Sequence, residues 1–478
     1  MMPVPIRPYL GRLILPLALL AGAAAFWFAS NQLGTVERTD VDTATEDASS
    51  LPFASVRRVP EFATRSLRSD QIAVALAGLP EHPSGLACTT VIVDGEHVLS
   101  VRSDQALVPS YAQLLLTGHA AIEQLGPDFR YQTVVMANDP PDDDGRISGG
   151  IYLIGSGDPV FMSRPYALTQ RPVPAAFTAV EDLAAAVAAA GVLRIDGGVI
   201  GVDRRYDAER TLSGWPEELL ARGFAGPLTA LQVDDALAER AAANGGVAVP
   251  AEEPTVFGVE RFVEALDAAG VEAVGFHRAL FEEEELPSLV PIARLASSDL
   301  ATIVRQTLAV NDAGAAELLL KELGVAESQT GTTQAGAQAV QRVLQDQGVR
   351  VPVAFRDASG LDSFGGTTCN QLATTADTIA SDHPTLIALP EYNLPAVFDG
   401  LFAEVPLTSD LRLVGGIEGN ASGLVARTVD QGRQVTIASI INRPGGPTEA
   451  DLAFQQALVE MVDGLRASVT VEALAVDE

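Results

Sequence analysis

Lysine occurs once in the 478 residues, at Lys321, so any mechanism that needs two ammonium groups is closed to this chain by counting. The two cysteines, Cys88 and Cys369, admit either one disulfide or two separate buried thiols, because spacing alone does not fix their geometry. The five histidines are scattered, and none of them forms a zinc-ligand spacing with a cysteine or carboxylate, so no metal and no cofactor is expected. Residues 138–146 (NDPPDDDGR) lack the central glycine and closing glutamate of a calcium loop and read as a solvated hairpin turn. Residues 155–159 (GSGDP) form a glycine-rich bend after a strand. A proline and an aspartate stand there where a helix N-terminus would receive a phosphate, so a phosphate cradle is not expected. Ser359, inside residues 357–362 (DASGLD), reads as a turn residue whose hydroxyl bonds its own backbone.

The elements that must position these groups are legible in outline. Residues 88–93 (CTTVIV) and 96–102 read as strands joined by a turn at Asp94-Gly95. Residues 109–126 (PSYAQLLLTGHAAIEQLG) read as the first buried helix, with Leu115, Ala121, Ile122 and Leu125 at helical spacing and Gly126 at the C-cap. Strands follow at 131–137 and 151–154, then an alanine-rich helix at 180–190 and a strand at 197–202. A second helix and strand are expected at 259–268 and 271–276. Such mixing suggests an insertion between two halves of one core domain. Further on, residues 317–323 read as a helix that packs Leu318, Leu319 and Leu323 inward and turns Lys321 to solvent. Strands at 411–414 and 435–441 keep apolar alternation or core runs, and a helix at 451–465 closes the domain.

Bulk properties narrow the partners. Acidic residues outnumber basic ones 62 to 31, a formal charge of -31, which argues against nucleic acid or an anionic membrane surface. The length leaves room for two or three domains. Arg7 and Arg12 precede a 17-residue apolar run at 13–29 (LILPLALLAGAAAFWFA), so residues 1–30 read as a signal peptide or a membrane anchor. Phe26, Trp27 and Phe28 stand where small residues would precede a cleavage site, which favours the anchor. Residues 31–64 read as a disordered acidic stalk. The bulk of the chain is therefore expected outside the cytoplasm, either membrane-anchored or secreted.

Five segments in one order carry a family resemblance: Pro109 with LLT at 115–117, GGIYLIGSGDP at 149–159, GGVIGVDRRYD at 197–207, AAELLLKELG at 315–324 and DASGLD at 357–362. Together they resemble the D-alanyl-D-alanine carboxypeptidase/endopeptidase family of class C penicillin-binding proteins, from about residue 83 to 465. The resemblance implies an α+β fold: a penicillin-binding, β-lactamase-like transpeptidase domain whose five-stranded antiparallel sheet is flanked by helices, with a long α/β insertion. On that plan residues 65–137 and 290–468 are the two parts of the penicillin-recognising domain, 138–289 the insertion and 469–478 a fraying tail. In such enzymes a serine attacks the D-alanyl-D-alanine bond and a lysine three residues along the helix accepts its proton. A Ser-x-Asn loop assists, and a Lys-Thr-Gly strand holds the substrate carboxylate.

Carried over by position, these groups are missing. Without a gap the nucleophile falls on Tyr111 and the lysine on Leu114; shifted by one, Ser110 is the nucleophile and Gln113 stands where the lysine belongs. A neutral amide is no general base near pH 7. The second motif aligns on Asn311-Asp312-Ala313, where Asn311 retains hydrogen-bonding capacity. The third falls near Gly415-Gly416-Ile417-Glu418, with a carboxylate at Glu418 that would repel a substrate carboxylate. Arg427-Thr428-Val429 has the look of a degraded Lys-Thr-Gly, in a register that fits the next strand better. The sequence therefore points to a cell-envelope pseudoenzyme with vestigial positions Ser110, Tyr111, Gln113, Leu114, Asn311, Ala313, Gly416 and Glu418, binding a peptidoglycan stem peptide or an envelope protein. The alternative is an active serine-type carboxypeptidase or endopeptidase in peptidoglycan maturation, working through Ser110 and an unidentified base.

Overall fold

The structure, a computed structural model, describes residues 70–170, 176–239, 247–280, 284–389, 411–428 and 433–466. The expected leader or anchor (1–30), the stalk (31–64) and the tail (469–478) lie outside them. Among the described residues no helix is long and apolar enough to cross a membrane.

Strands β1 (Leu86–Val93) and β2 (Glu96–Val101) form a hairpin over the Asp94-Gly95 turn. One tight helical turn, Ser110–Gln113, then leads into helix α1 (Leu114–Leu125). The next part contributes β3 (Gln132–Ala137), β4 (Ile151–Ile154), α2 (Val180–Ala189), β5 (Val199–Val202), α3 (Pro254–Ala268), β6 (Arg278–Ala279) and β7 (Val290–Ala296). A run of helices follows: α4 (Leu300–Val310), α5 (Ala313–Ser328), α6 (Thr333–Asp346), α7 (Cys369–Thr378) and α8 (Pro384–Ala388). The described chain closes with β8 (Leu411–Glu418), β9 (Ala421–Thr428), β10 (Val435–Asn442) and helix α9 (Glu449–Arg466).

Two sheets organise these elements. The first, in the order β8-β9-β10-β1-β2, is antiparallel throughout. Its strands β1, β9 and β10 are buried almost throughout because both faces are covered, whereas the edge strand β2 is partly to fully exposed. Cys88, Val414, Ala438 and Ile440 face α1 and the helices packed on it, whereas Val91, Leu413, Val435 and Ile437 face α9. The second sheet, in the order β6-β5-β4-β3-β7, is parallel across its first three strands and antiparallel beyond. Helices α2 and α3 bury Leu183, Val187, Phe262 and Leu266 against it. Its strands β3 and β7 lie outside the expected 138–289 span, because β3 pairs with both β4 and β7, and the insertion sheet therefore reaches residues 132 and 296.

Helices α4 to α8 start on side-chain caps, each accepting a backbone N–H of the first turn: Asp299 from Thr302, Asp312 from Ala315, Thr332 from Ala335, Thr368 from Gln371 and His383 from Thr385. Helix α5 is buried all round from Ala313 to Gly324, the pattern of a helix enclosed by other elements. The enclosing element on one side is the insertion. Arg205 donates twice to the Glu322 carboxylate (2.7 and 2.5 Å), Tyr206 adds a hydroxyl bond to it at 3.0 Å, and Lys321 donates to Asp207 at 2.5 Å. Lys321 is thus 1 % exposed, contrary to the solvent-facing position that the helical pattern suggests.

Cys88 of β1 and Cys369 at the start of α7 are joined by a disulfide, with 5.9 Å between their Cα atoms and 281 residues between them in sequence. The bond ties the central sheet to the second half of the chain, and a cross-link over so long a loop removes much unfolded-state entropy. Replacing both cysteines by alanine is expected to lower unfolding stability by about 2–5 kcal/mol, read from denaturant titration. A thiol reagent should find no free cysteine in the native, unreduced chain; a labelled native protein would contradict the pairing.

Candidate active site

The tight turn before α1 is shaped by two glycines of neighbouring elements. A side chain at Gly423 of β9 would place its Cβ 1.7 Å from the Pro109 carbonyl oxygen, and one at Gly360 would place it 2.2 Å from the Ser110 carbonyl oxygen. Pinched between them, Ser110 adopts a left-handed conformation (φ +49°), uncommon for a residue with a side chain. Its hydroxyl is buried, has no partner within the described chain, and lines a cleft of about 400 Å³ with Val108, Leu219, Leu361, Glu418, Asn420 and Asn442.

Positions from the three motif segments, Tyr111, Asn311 and Gly416, pack together beside this turn. A Cβ built on Gly416 of β8 would lie 2.7 Å from the Tyr111 ring and 3.0 Å from the Asn311 amide nitrogen, so the strand needs glycine there to pass both. Asn311 caps the end of α4 in the left-handed region and donates its amide to the Gly415 carbonyl at 2.9 Å. Tyr111 packs against Phe224 of the insertion, with ring centres 6.3 Å apart, and the Arg222 guanidinium lies 4.5 Å over the Phe224 ring. Arg222 also pairs with Glu418 at 2.7 Å, so Glu418 stands next to a cation supplied by the insertion. Burial first, and then the Glu418 charge, push the Tyr111 phenol well above its ordinary value, so it remains a neutral hydroxyl. Its oxygen and the Asn311 amide oxygen, like the Ser110 hydroxyl, find no partner within the described chain.

The groups expected at the base position serve the fold. Gln113 donates its amide to the Asp357 carbonyl (2.6 Å) and carboxylate (2.9 Å), and Leu114 is buried in the core. Ala313 opens α5 as a core residue. Arg427 is buried, donates to the Ala376 and Ile379 carbonyls at the end of α7 and bonds Gln434 at 2.9 Å; it plays no part in the cleft. Ser359 also differs from expectation. Its hydroxyl donates to Glu317 (2.9 Å) and Asp357 (3.1 Å), not to its own backbone. Glu317 further accepts the Ala358 and Ser359 N–H groups (2.9 and 3.0 Å), while Asp357 accepts those of Leu361 and Asp362 (2.8 Å each). Arg222 and Phe224 were beyond sequence reasoning, since they lie in a loop without a motif and reach the cleft only through the docking of the insertion.

Comparison with known proteins agrees with this fold. The family model of the D-Ala-D-Ala carboxypeptidase 3 (S13) family matches residues 69–263 and 236–395. A D-alanyl-D-alanine carboxypeptidase of Actinomadura sp. (strain R39) is 24% identical over 383 residues, 65% of this chain and 68% of that protein. Penicillin binding protein 4 of Haemophilus influenzae superimposes with a TM-score of 0.66 at 16% identity, over 82% of this chain and 99% of that one. Its complex with a β-lactam gives a TM-score of 0.58.

The buried carboxyls generate a pH signature. Burial first, then the neighbouring Asp357 charge, raise Glu317 well above the usual carboxylate range against the donors of Ser359 and Ala358, and burial likewise raises Asp357. Groups that bind protons more tightly when folded favour the fold below the ordinary carboxylate pKa, and that contribution is lost as pH rises through the raised values. Glu317→Gln is therefore expected to gain stability relative to the parent chain as pH rises above the ordinary carboxylate range, in denaturant titrations at each pH. Glu317→Ala, which orphans the Ala358 and Ser359 donors, should lose about 3 kcal/mol or more at every pH.

Proposed function

We infer the function of this chain from one premise: it belongs to the D-Ala-D-Ala carboxypeptidase 3 (S13) family. We propose that it is an extracytoplasmic member whose penicillin-binding fold holds peptidoglycan stem peptides without acylating on them. The observation that carries the proposal is what stands at the positions the family gives to its proton acceptor. Gln113 is a neutral amide bound to Asp357, Leu114 is aliphatic, and the lone ammonium side chain, Lys321, is bound to Asp207. Ser110 thus lacks the family's lysine, and the carboxylate in the same cleft, Glu418, is engaged by Arg222. Tyr111, in the other register, is a phenol kept neutral by burial.

Binding does not need that chemistry. The cleft is of a size to receive the end of a peptide, and Ser110 in its wall has a buried hydroxyl without a partner inside the described chain, as do the Tyr111 and Asn311 oxygens packed around Gly416 of the strand that carries Glu418. Buried polar groups are nearly always hydrogen-bonded, so the Ser110 hydroxyl suits a polar guest. The Arg222 guanidinium is the cation available to a terminal carboxylate, in competition with Glu418. The disulfide between Cys88 and Cys369 supports an oxidising compartment outside the cytoplasm.

The competing reading, acylation through Ser110, is favoured by that hydroxyl's position in the cleft wall. The purified chain incubated with fluorescent penicillin is expected to carry no covalent label after denaturation, and an adduct mapped to Ser110 would establish the competing reading. In calorimetry with a D-Ala-D-Ala-terminated stem peptide, Arg222→Ala should weaken binding and Glu418→Gln should strengthen it, each by about fivefold. Binding indifferent to both substitutions would remove the proposed role of Arg222.

A further inference from the structure

His119 and Glu123 stand four residues apart on α1, on one face of the helix, and the fold brings His383, the cap of α8, against them. The His383 Nε2 atom lies 2.7 Å from the Glu123 carboxylate, the two imidazole rings are 5.5 Å apart, and one ligand atom from each of the three residues falls within 4.8 Å of the others. We propose that His119, Glu123 and His383 form a binding site for a divalent transition metal of the zinc type, remote in role from the cleft and cross-linking α1 to α8.

The donor set fits. Two imidazole nitrogens and one carboxylate oxygen suit Zn²⁺ and leave a fourth position for water. His119 Nε2 lies 2.8 Å from the Gln347 side-chain oxygen; with its N–H given to that oxygen, the Nδ1 lone pair is directed to Thr385 and is available to a metal. Such an outer partner fixes the tautomer of a ligand histidine. His119 is buried, whereas the Glu123 and His383 side chains are 33% and 23% exposed, which gives an ion a route in from solvent. Tetrahedral coordination sets ligand atoms about 3.4 Å apart, so the 2.7 Å contact between Glu123 and His383 opens while any wider separation within the 4.8 Å group closes, a small adjustment for the partly exposed Glu123 and His383 side chains.

Binding has a cost in this arrangement. His383 now accepts the Thr385 N–H at Nδ1 and presents Nε2–H to Glu123. A metal at Nε2 moves that proton to Nδ1 and takes the acceptor away from the Thr385 N–H. The Thr385 hydroxyl likewise gives up its contact with His119 Nδ1. The ion replaces both contacts with a direct link between the two helices.

The test uses the full chain stripped with a chelator and titrated with Zn²⁺ in calorimetry. One equivalent is expected to bind below about 100 micromolar free metal, above which surface carboxylates compete. Glu123→Gln and His383→Ala should each weaken that equivalent by about tenfold or more, whereas Asp142→Asn, in the exposed acidic turn, should leave it unchanged. Zinc should raise the melting temperature of the parent chain and of Asp142→Asn, but not that of His383→Ala. Because Glu123 is partly exposed, its variant is expected to fold, as circular dichroism would verify. Absence of a one-equivalent event, or an event that survives both ligand substitutions, would overturn the assignment.

Discussion

A carboxyl group with no solvent contact, that of Glu317, fixes the geometry on which the cleft depends. It accepts the backbone of Ala358 and Ser359 and the Ser359 hydroxyl, and so holds the loop 357–362 against the underside of α1. From that loop Asp357 receives the Gln113 amide and Gly360 presses on the Ser110 carbonyl. The left-handed turn at Ser110 follows from this pressure and from Gly423 on the other side. A strained residue persists only where its surroundings over-determine it. Here three elements, α5, the 357–362 loop and β9, do so together.

The same helix α5 anchors the insertion. About one turn beyond Glu317, Lys321 and Glu322 bind Asp207, Arg205 and Tyr206, an ion-pair network whose members are mutually satisfied. Removing one partner from such a network leaves a desolvated charge, so the network fixes the docking more than it adds net stability. Docking in turn brings Arg222 and Phe224 to the cleft. A single helix thereby sets both the floor of the cleft, through Glu317, and its far wall, through the insertion.

The sequence made this legible in part. Strands such as β1 and β10 were readable because burial on both faces gives uninterrupted apolar runs, and α1 because its apolar residues recur at helical spacing. Sheet membership was not readable for β3 and β7, since alternation marks a strand without naming its neighbours. Lys321 was misplaced because a lone charged residue in a helix is ordinarily solvated, whereas here the insertion covers it and Asp207 accepts its ammonium. Motif order singled out Tyr111, Asn311 and Gly416 as candidate positions, and the fold packs the three together. The grouping of His119 and Glu123 with His383 was not legible, because local spacing rules do not see a residue delivered by the far end of the chain.

The groups around the turn at Ser110 differ in how fully they are satisfied. On its core side Gln113 is doubly bonded, Leu114 is packed and Ala313 is buried. A lysine at such a place would be desolvated and costly to hold, a cost that an amide or an aliphatic chain does not carry. The Ser110 hydroxyl, like the Tyr111 and Asn311 oxygens, has no partner in the described chain although each is buried. An unpaired buried polar group costs about 1–3 kcal/mol. Of the three, Ser110 lines the cleft, so a polar guest there is one source of the missing partner.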